Sequence, residues 1–356
     1  MMTYPAKTGP DREMKKPYGI NWKWGKDFLY AAVVVPYRKK SFDVDYDAYR
    51  KMIRYFLQPK FVDAGGGLIV NPEAGEVFYL DGEEKKEIIK VAMKEVGGKV
   101  PVFTGASHVT TDGTVKECLA AKELGVDGIF FIPPMGSGDI TYAWNSDLYP
   151  EVWIDMMKAI TDATDLPMIV HPTATVNPRY GVGLPVGATM KILEEIPHII
   201  GWKMTYNYTG WKTVAEAIRS LDHHVGILGA PSDLWHWALL NEYFDGAVNG
   251  AFCYAMETKI DHVLAWRRND LARARKIWNG GLMAIQDYVF GDYARLHIRY
   301  KVGAWLRGLV PHPFMRPPQP KPLISECREM TRLLRNLGLD VIPDGEIERI
   351  VKLLSR

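Results

Sequence analysis

Cysteine is scarce: Cys118, Cys253 and Cys327 are the only three in 356 residues, an odd number, widely spaced and without a CxxC pair. That excludes a disulfide framework and a thiolate zinc cage, and it fits a reducing compartment. Long apolar runs are missing too, because no stretch approaches the ~18 to 20 apolar residues that span a bilayer. The segment from Met1 to Lys26 is polar and Pro/Gly-rich, without the apolar core of a secretory signal. A cytoplasmic chain with no membrane partner is expected. Nor is charge of one sign in excess: 44 Lys+Arg face 42 Asp+Glu, a formal net charge of +2. This is too balanced for the basic footprint of a nucleic-acid-binding surface. Metal-ligand spacings such as HxH or HExxH are absent, as is a GxGxxG fingerprint after the first apolar run, so neither a metal nor an organic cofactor is expected.

What is present is an alternation of short apolar runs with amphipathic segments. Eight runs stand out: 31–36, 66–71, 101–106, 128–134, 168–172, 199–204, 225–230 and 246–251. Most are β-branched and nearly continuously apolar, the character of parallel strands buried on both faces. Helical patterns lie between them, for example 45–64, 83–97, 114–125 and 147–163, with Asp45 and Asp112 at N-cap positions and Gly97 and Gly125 where helices end. Run-to-run spacings of ~20 to 40 residues suit βα units. The pattern predicts an α/β fold, a (β/α)₈ TIM barrel over residues 28–265, preceded by an extension, 1–27, and followed by a C-terminal helical region, 266–356. The basic cluster Arg267, Arg268, Arg273, Arg275 and Lys276 reads as a solvated helix face.

In such a barrel, reactive groups belong at the C-terminal ends of the strands. Lys203 sits inside the apolar run IIGWKM, where an ammonium is costly unless it has a function or a partner carboxylate such as Glu73 or Glu76. Desolvation lowers a lysine's pKa and makes the amine nucleophilic toward carbonyls. His171 ends the fifth run and can serve as acid or base near neutral pH. Substrate contacts are expected from Glu73 and Ala74 after the second run, Ser107 and His108 after the third, Tyr206 after the sixth, and Val248 and Asn249 on the eighth. His108 reads equally as a loop cap. Trp144, Trp202, Tyr206, Trp211 and Trp235 lean toward a bulky or aromatic substrate. Two other readings stay open: a metal-dependent hydrolase or aldolase using Glu73, Glu76, His108, His171 and Asp233, and a non-catalytic barrel that binds a small molecule.

The order Pro72-Glu73-Ala74-Gly75-Glu76, then His171-Pro172, then Gly201-Trp202-Lys203 resembles the dihydrodipicolinate synthase / N-acetylneuraminate lyase family. There the corresponding places hold G-T-T-G-E, Y-N-x-P and G-[IV]-K. The Ile132-Pro133-Pro134 turn, a Gly-rich seventh run and Lys301 add generic agreement. The resemblance implies a cofactor-independent lyase in which Lys203 forms a Schiff base with a 2-oxo acid such as pyruvate, in aldol cleavage or dehydration. It also implies a homotetramer or homodimer. Departures are informative: Glu73 and Ala74 replace the threonine pair that holds the substrate carboxylate, His171 replaces the tyrosine proton shuttle, and Met135-Gly136-Ser137 lacks the relay tyrosine. A lysine-biosynthetic synthase is therefore not expected.

Overall fold

Every one of the eight apolar runs contributes a strand to one sheet. A computed structural model describes residues 27–134, 145 and 147–355. The expectations that concern residues 1–26, Met135-Gly136-Ser137 and Trp144 lie outside these residues. The strands are β1 (Leu29–Ala32), β2 (Gly66–Val70), β3 (Val102–Ala106), β4 (Gly128–Phe131), β5 (Met168–Val170), β6 (Thr173–Asn177), β7 (Gly181–Gly183), β8 (Ile199–Met204), β9 (Gly226–Gly229) and β10 (Gly246–Asn249). Eight of them close a barrel in the order β1-β10-β9-β8-β5-β4-β3-β2, and β6 and β7 form a separate antiparallel pair.

The expected first run starts two residues late, since the ladder begins at Leu29 and ends at Ala32. Val33, Val34 and Val35 beyond it are nonetheless fully buried, and the Val33 amide still donates to Ile69 O at 3.0 Å. The β6–β7 pair was not anticipated: its residues Thr173–Asn177 are half-buried or exposed and mostly polar, a weak strand signal.

Helices follow the strands as expected: α1 (Tyr46–Tyr55), α2 (Pro59–Val62), α3 (Gly82–Val96), α4 (Thr111–Glu123), α5 (Glu151–Thr164), α6 (Val186–Glu195), α7 (Tyr208–Arg219), α8 (Trp235–Leu240) and α9 (Phe252–Arg267). The 45–64 segment is broken in two because Pro59 opens a new helix at its first position. Asp45 caps α1 by accepting from the Ala48 amide, and Gly97 ends α3 at φ 53°, a conformation natural to glycine. Asp112 is not a cap. Thr110 takes that role through the Gly113 amide, leaving Asp112 in the first turn, where its charge suits the helix dipole.

Beyond α9 the chain is helical, with α10 (Leu271–Ile277), α11 (Met283–Phe290), α12 (Leu296–Leu306), α13 (Ile324–Asn336) and α14 (Asp344–Leu354). Arg268, Arg273, Arg275 and Lys276 are exposed, while Arg267 donates to Ala64 O at 2.8 Å. Packing groups the described residues into two units, one of Pro101–Val248 with the residues before Tyr30, the other of Tyr30–Val100 with Asn249 onward. A boundary at residue 265 falls inside α9.

Candidate active site

In the first unit, parallel register brings two candidate residues together. Phe131 pairs with Val170 across β4 and β5, and Val170 pairs with Trp202 across β5 and β8. His171 and Lys203 each follow this row by one residue, so strand alternation turns both to the face opposite Val170 and Trp202. Lys203 Nζ then lies 3.1 Å from His171 Nε2. His171 is buried and Lys203 half-buried. An ammonium at Lys203 donates to Nε2, which requires the neutral imidazole to carry its proton on Nδ1.

Gly201, one turn of the pleat before Lys203, is needed for space: a Cβ there would stand 2.6 Å from Leu228 Cδ1. Trp202 faces the other way, fully buried, and donates from Nε1 to the Tyr206 hydroxyl at 3.0 Å. Tyr206 is 1% exposed, with its hydroxyl also 3.5 Å from Thr189 Oγ1, and burial raises its pKa well above the usual phenol range. The phenol is packed in the core with its hydroxyl hydrogen-bonded. Trp202, Trp211 and Trp235 are buried as well. These three indoles, with Tyr206, are core residues.

Ser107 is buried and its amide donates to Glu117 Oε2 at 2.9 Å. His108 is exposed, and its Nδ1 accepts from the Thr110 amide at 3.2 Å, the loop-cap role. Val248 is fully buried on β10.

In the second unit, the turn after β2 is fastened from one side. Asn249, which ends β10, accepts on Oδ1 from the Ala251 amide at 2.6 Å. Glu73, Ala74 and Gly75 form a short helical turn, and a Cβ on Gly75 would stand 2.6 Å from Val33 O. Glu76 closes it in the left-handed region, at φ 60° and ψ 35°, strained for a side-chain-bearing residue. What holds it is charge: Lys301 on α12 pairs with Oε1, while Oε2 accepts from the Arg316 amide at 2.8 Å and from Gln319 Nε2 at 2.7 Å. Both members of the pair are almost wholly buried. Lys301 and the Arg316 guanidinium also stand over the Tyr37 ring, at 4.3 and 4.6 Å from its centroid.

Glu76 is thus a structural anchor whose lysine is Lys301. It is not available to a metal, and among the described residues no three His, Cys, Asp or Glu side chains gather as a metal site requires. Sequence reasoning overlooked Lys301, Arg316 and Gln319 as the holders of this turn. A cation inside the apolar helix segment around Lys301 was the available signal.

With this geometry in hand, comparison with known proteins gives a consistent result. The model of the dihydrodipicolinate synthetase family matches residues 27–335. A DapA-like lyase of Thermofilum pendens is 27% identical over 283 residues, 77% of this chain and 87% of that protein. A 4-hydroxy-tetrahydrodipicolinate synthase of Thermodesulfovibrio yellowstonii is 26% identical over 247 residues, 69% of this chain and 77% of that protein. Among solved structures, YagE of E. coli K12, determined in complex with pyruvate, superposes with a TM-score of 0.74 at 19% identity, covering 88% of this chain and 99% of that one. The dihydrodipicolinate synthase of Aquifex aeolicus gives a TM-score of 0.72 at 20% identity with the same coverage, 88% and 99%. These two structures share the fold.

Proposed function

Since the chain belongs to the dihydrodipicolinate synthetase family, whose lyases form a Schiff base between a lysine and pyruvate, we propose that Lys203 is that lysine here and His171 its proton-transfer partner. The observation that carries this is the 3.1 Å approach of Lys203 Nζ to His171 Nε2 on adjacent strands. Imidazole next to the amine supplies what the family's tyrosine supplies, a group within hydrogen-bond reach that moves protons near neutral pH.

The neutral amine adds to the ketone carbon of a 2-oxo acid, forming the Nζ–C bond while the carbonyl electron pair moves to oxygen. His171 becomes an imidazolium by taking the proton that Lys203 sheds in passing from ammonium to amine. The oxygen takes one proton from the adduct's own nitrogen and a second from that imidazolium, and leaves as water. In aldol cleavage the resulting iminium accepts the electron pair of the bond between its α and β carbons while the β-hydroxyl gives up its proton and becomes the carbonyl of the released product. The enamine left behind takes a proton on its α carbon. In dehydration a base takes the α proton and the β-hydroxyl leaves with a proton as water. In both cases water then hydrolyses the iminium and restores the amine. Replacement of the family's threonine pair by Glu73 and Ala74 removes two hydroxyls and adds a carboxylate that repels an anion. That supports a reaction other than that of the lysine-biosynthetic synthase. Glu73, Ala74, Ser107, His108, Tyr206, Val248 and Asn249 are each proposed as substrate contacts, and the family implies a homotetramer or homodimer working in the cytoplasm. The three cysteines, buried and unbridged, are consistent with a reducing compartment.

Borohydride reduction in the presence of pyruvate, then of bulkier aliphatic and aromatic 2-oxo acids, tests the reading. A reduced adduct mapped by peptide mass spectrometry to Lys203 is expected, with Lys203→Ala losing the adduct and roughly 10³-fold or more in turnover. A Lys203→Ala variant that remains active ends the Schiff-base assignment.

A further inference from the structure

The Lys203–His171 pair stands on an aromatic face that the proton transfers above leave unused. Phe130 lies on β4, 1% exposed, in the row that pairs it with Ile169, two rows below His171 and so on the same face of the sheet. Its ring stacks on the His171 imidazole, with centroids 5.7 Å apart and planes 23° from parallel. The same ring lies under Lys203 Nζ, 5.4 Å from the centroid. One side chain therefore touches both members of the pair.

We propose that Phe130 is a positioning residue for the Schiff-base reaction: its ring holds the imidazole so that Nε2 faces Nζ, and its electron-rich face stabilises the positive charge that Nζ carries as ammonium and as iminium. The proposal rests on the assignment of Lys203 as the Schiff-base lysine. Its physical content is differential. A half-buried nitrogen has lost part of its hydration, and the negative face of an aromatic ring replaces some of it for a cation, while the neutral amine, the carbinolamine and the ketone gain little. Ring stacking limits the imidazole to rotation in its own plane, which a leucine or valine at the same place cannot do.

The test replaces Phe130 by phenylalanine analogues bearing one, two and three ring fluorines, introduced at this codon in the full chain. Fluorine drains the ring face of negative charge and scarcely changes its size. The readouts are the concentration of pyruvate, or of the 2-oxo acid that traps best, giving half-maximal borohydride adduct at Lys203, and the melting temperature. A stepwise rise in the half-maximal concentration is expected, reaching about 3- to 30-fold, with the melting temperature unchanged. Phe130→Leu should show a similar loss and, with the imidazole released, a displaced pH profile for trapping. A flat fluorine series, with trapping intact in the unmodified protein, overturns the role of Phe130 and leaves Lys203 standing. Absence of any Lys203 adduct in the unmodified protein overturns the Lys203 assignment, and the role of Phe130 with it.

Discussion

His312 shows how burial sets the charge of a single residue. It is 3% exposed, packed between Phe42 and Phe314 at 6.4 and 5.3 Å, and its Nδ1 accepts from the Phe314 amide at 3.2 Å. Burial first, and then the positive charge of Lys301, push its pKa down from 6.5 to about 4. The folded protein therefore holds this histidine neutral over a range in which the unfolded chain protonates it. Its contribution to stability is complete above pH 6.5 and is lost progressively as the pH falls to about 4, amounting to about 3 kcal/mol at the lower limit. His312→Asn keeps an acceptor for the Phe314 amide and has no proton to gain. Urea unfolding free energies measured from pH 7 to pH 4 should fall more steeply for the unaltered protein than for the variant; parallel slopes would place the titration elsewhere. Legibility at this scale depends on how unusual a residue is in its surroundings. Lys203 was visible because a cation in an apolar strand demands a reason, whereas Phe130 was invisible because a phenylalanine in the run GIFFIPP needs none.

At the scale of elements, the turn after β2 shows why motif and fold are read with different success. The strand runs announced themselves, and β8 spans Ile199–Met204, the whole of the run expected for it. The turn was legible as a family-like motif, but the reason for its final glutamate was not, because the groups that hold Glu76 come from α12 and from the chain around Arg316, more than two hundred residues later. No local pattern contains such a contact. Arg316 itself is fixed on Glu84 at 2.7 Å and on Phe42 O, so the anchor is a network and not one pair. Lys301→Met leaves the Glu76 carboxylate buried beside only neutral donors and one half-neutralised arginine, and removing one partner of a buried pair costs about 3–5 kcal/mol. The double variant Lys301→Met, Glu76→Gln removes the stranded charge and should recover most of that loss. Chemical denaturation at pH 7 decides the matter: a single-variant loss below about 1 kcal/mol would mean that the pair contributes little to holding the turn.

For the whole molecule the question is whether the C-terminal helices decorate the barrel or complete a packing unit, and composition cannot answer it. Contacts can. Residues from Asn249 onward belong to the same unit as Tyr30–Val100. Within it Glu326 of α13 accepts from Arg295 at 2.6 Å and from Arg299 at 3.2 Å; burial pushes its carboxyl up, but the hydrogen bonds from Arg295 and the Leu323 amide outweigh this and hold it below the usual carboxylate range. On α12, Gly303 admits Met330 of α13, whose Cε would lie 3.0 Å from a Cβ there. A chain ending at Val310 would recover the ordering entropy of what it lost. It would also strip Glu76 of its Arg316 and Gln319 donors, leave Arg295 and Arg299 without their carboxylate, and bare the face of α12 that covers α13. The apolar surface bared on α12 and the lost ion-pair and hydrogen-bond partners together cost several kcal/mol against a total stability of ~5–15 kcal/mol. This truncated chain should therefore show no cooperative melt, while one ending at Leu339, which loses the buried Ile347, Ile350 and Val351 of α14 and the bonds of Asp340 O to Arg307 and of the Ile342 amide to Leu306 O, should keep a cooperative transition at a lower midpoint. Calorimetry of the two truncations separates the possibilities, because a cooperative melt of the shorter chain within a few degrees of the full protein would make the last helices an independent attachment.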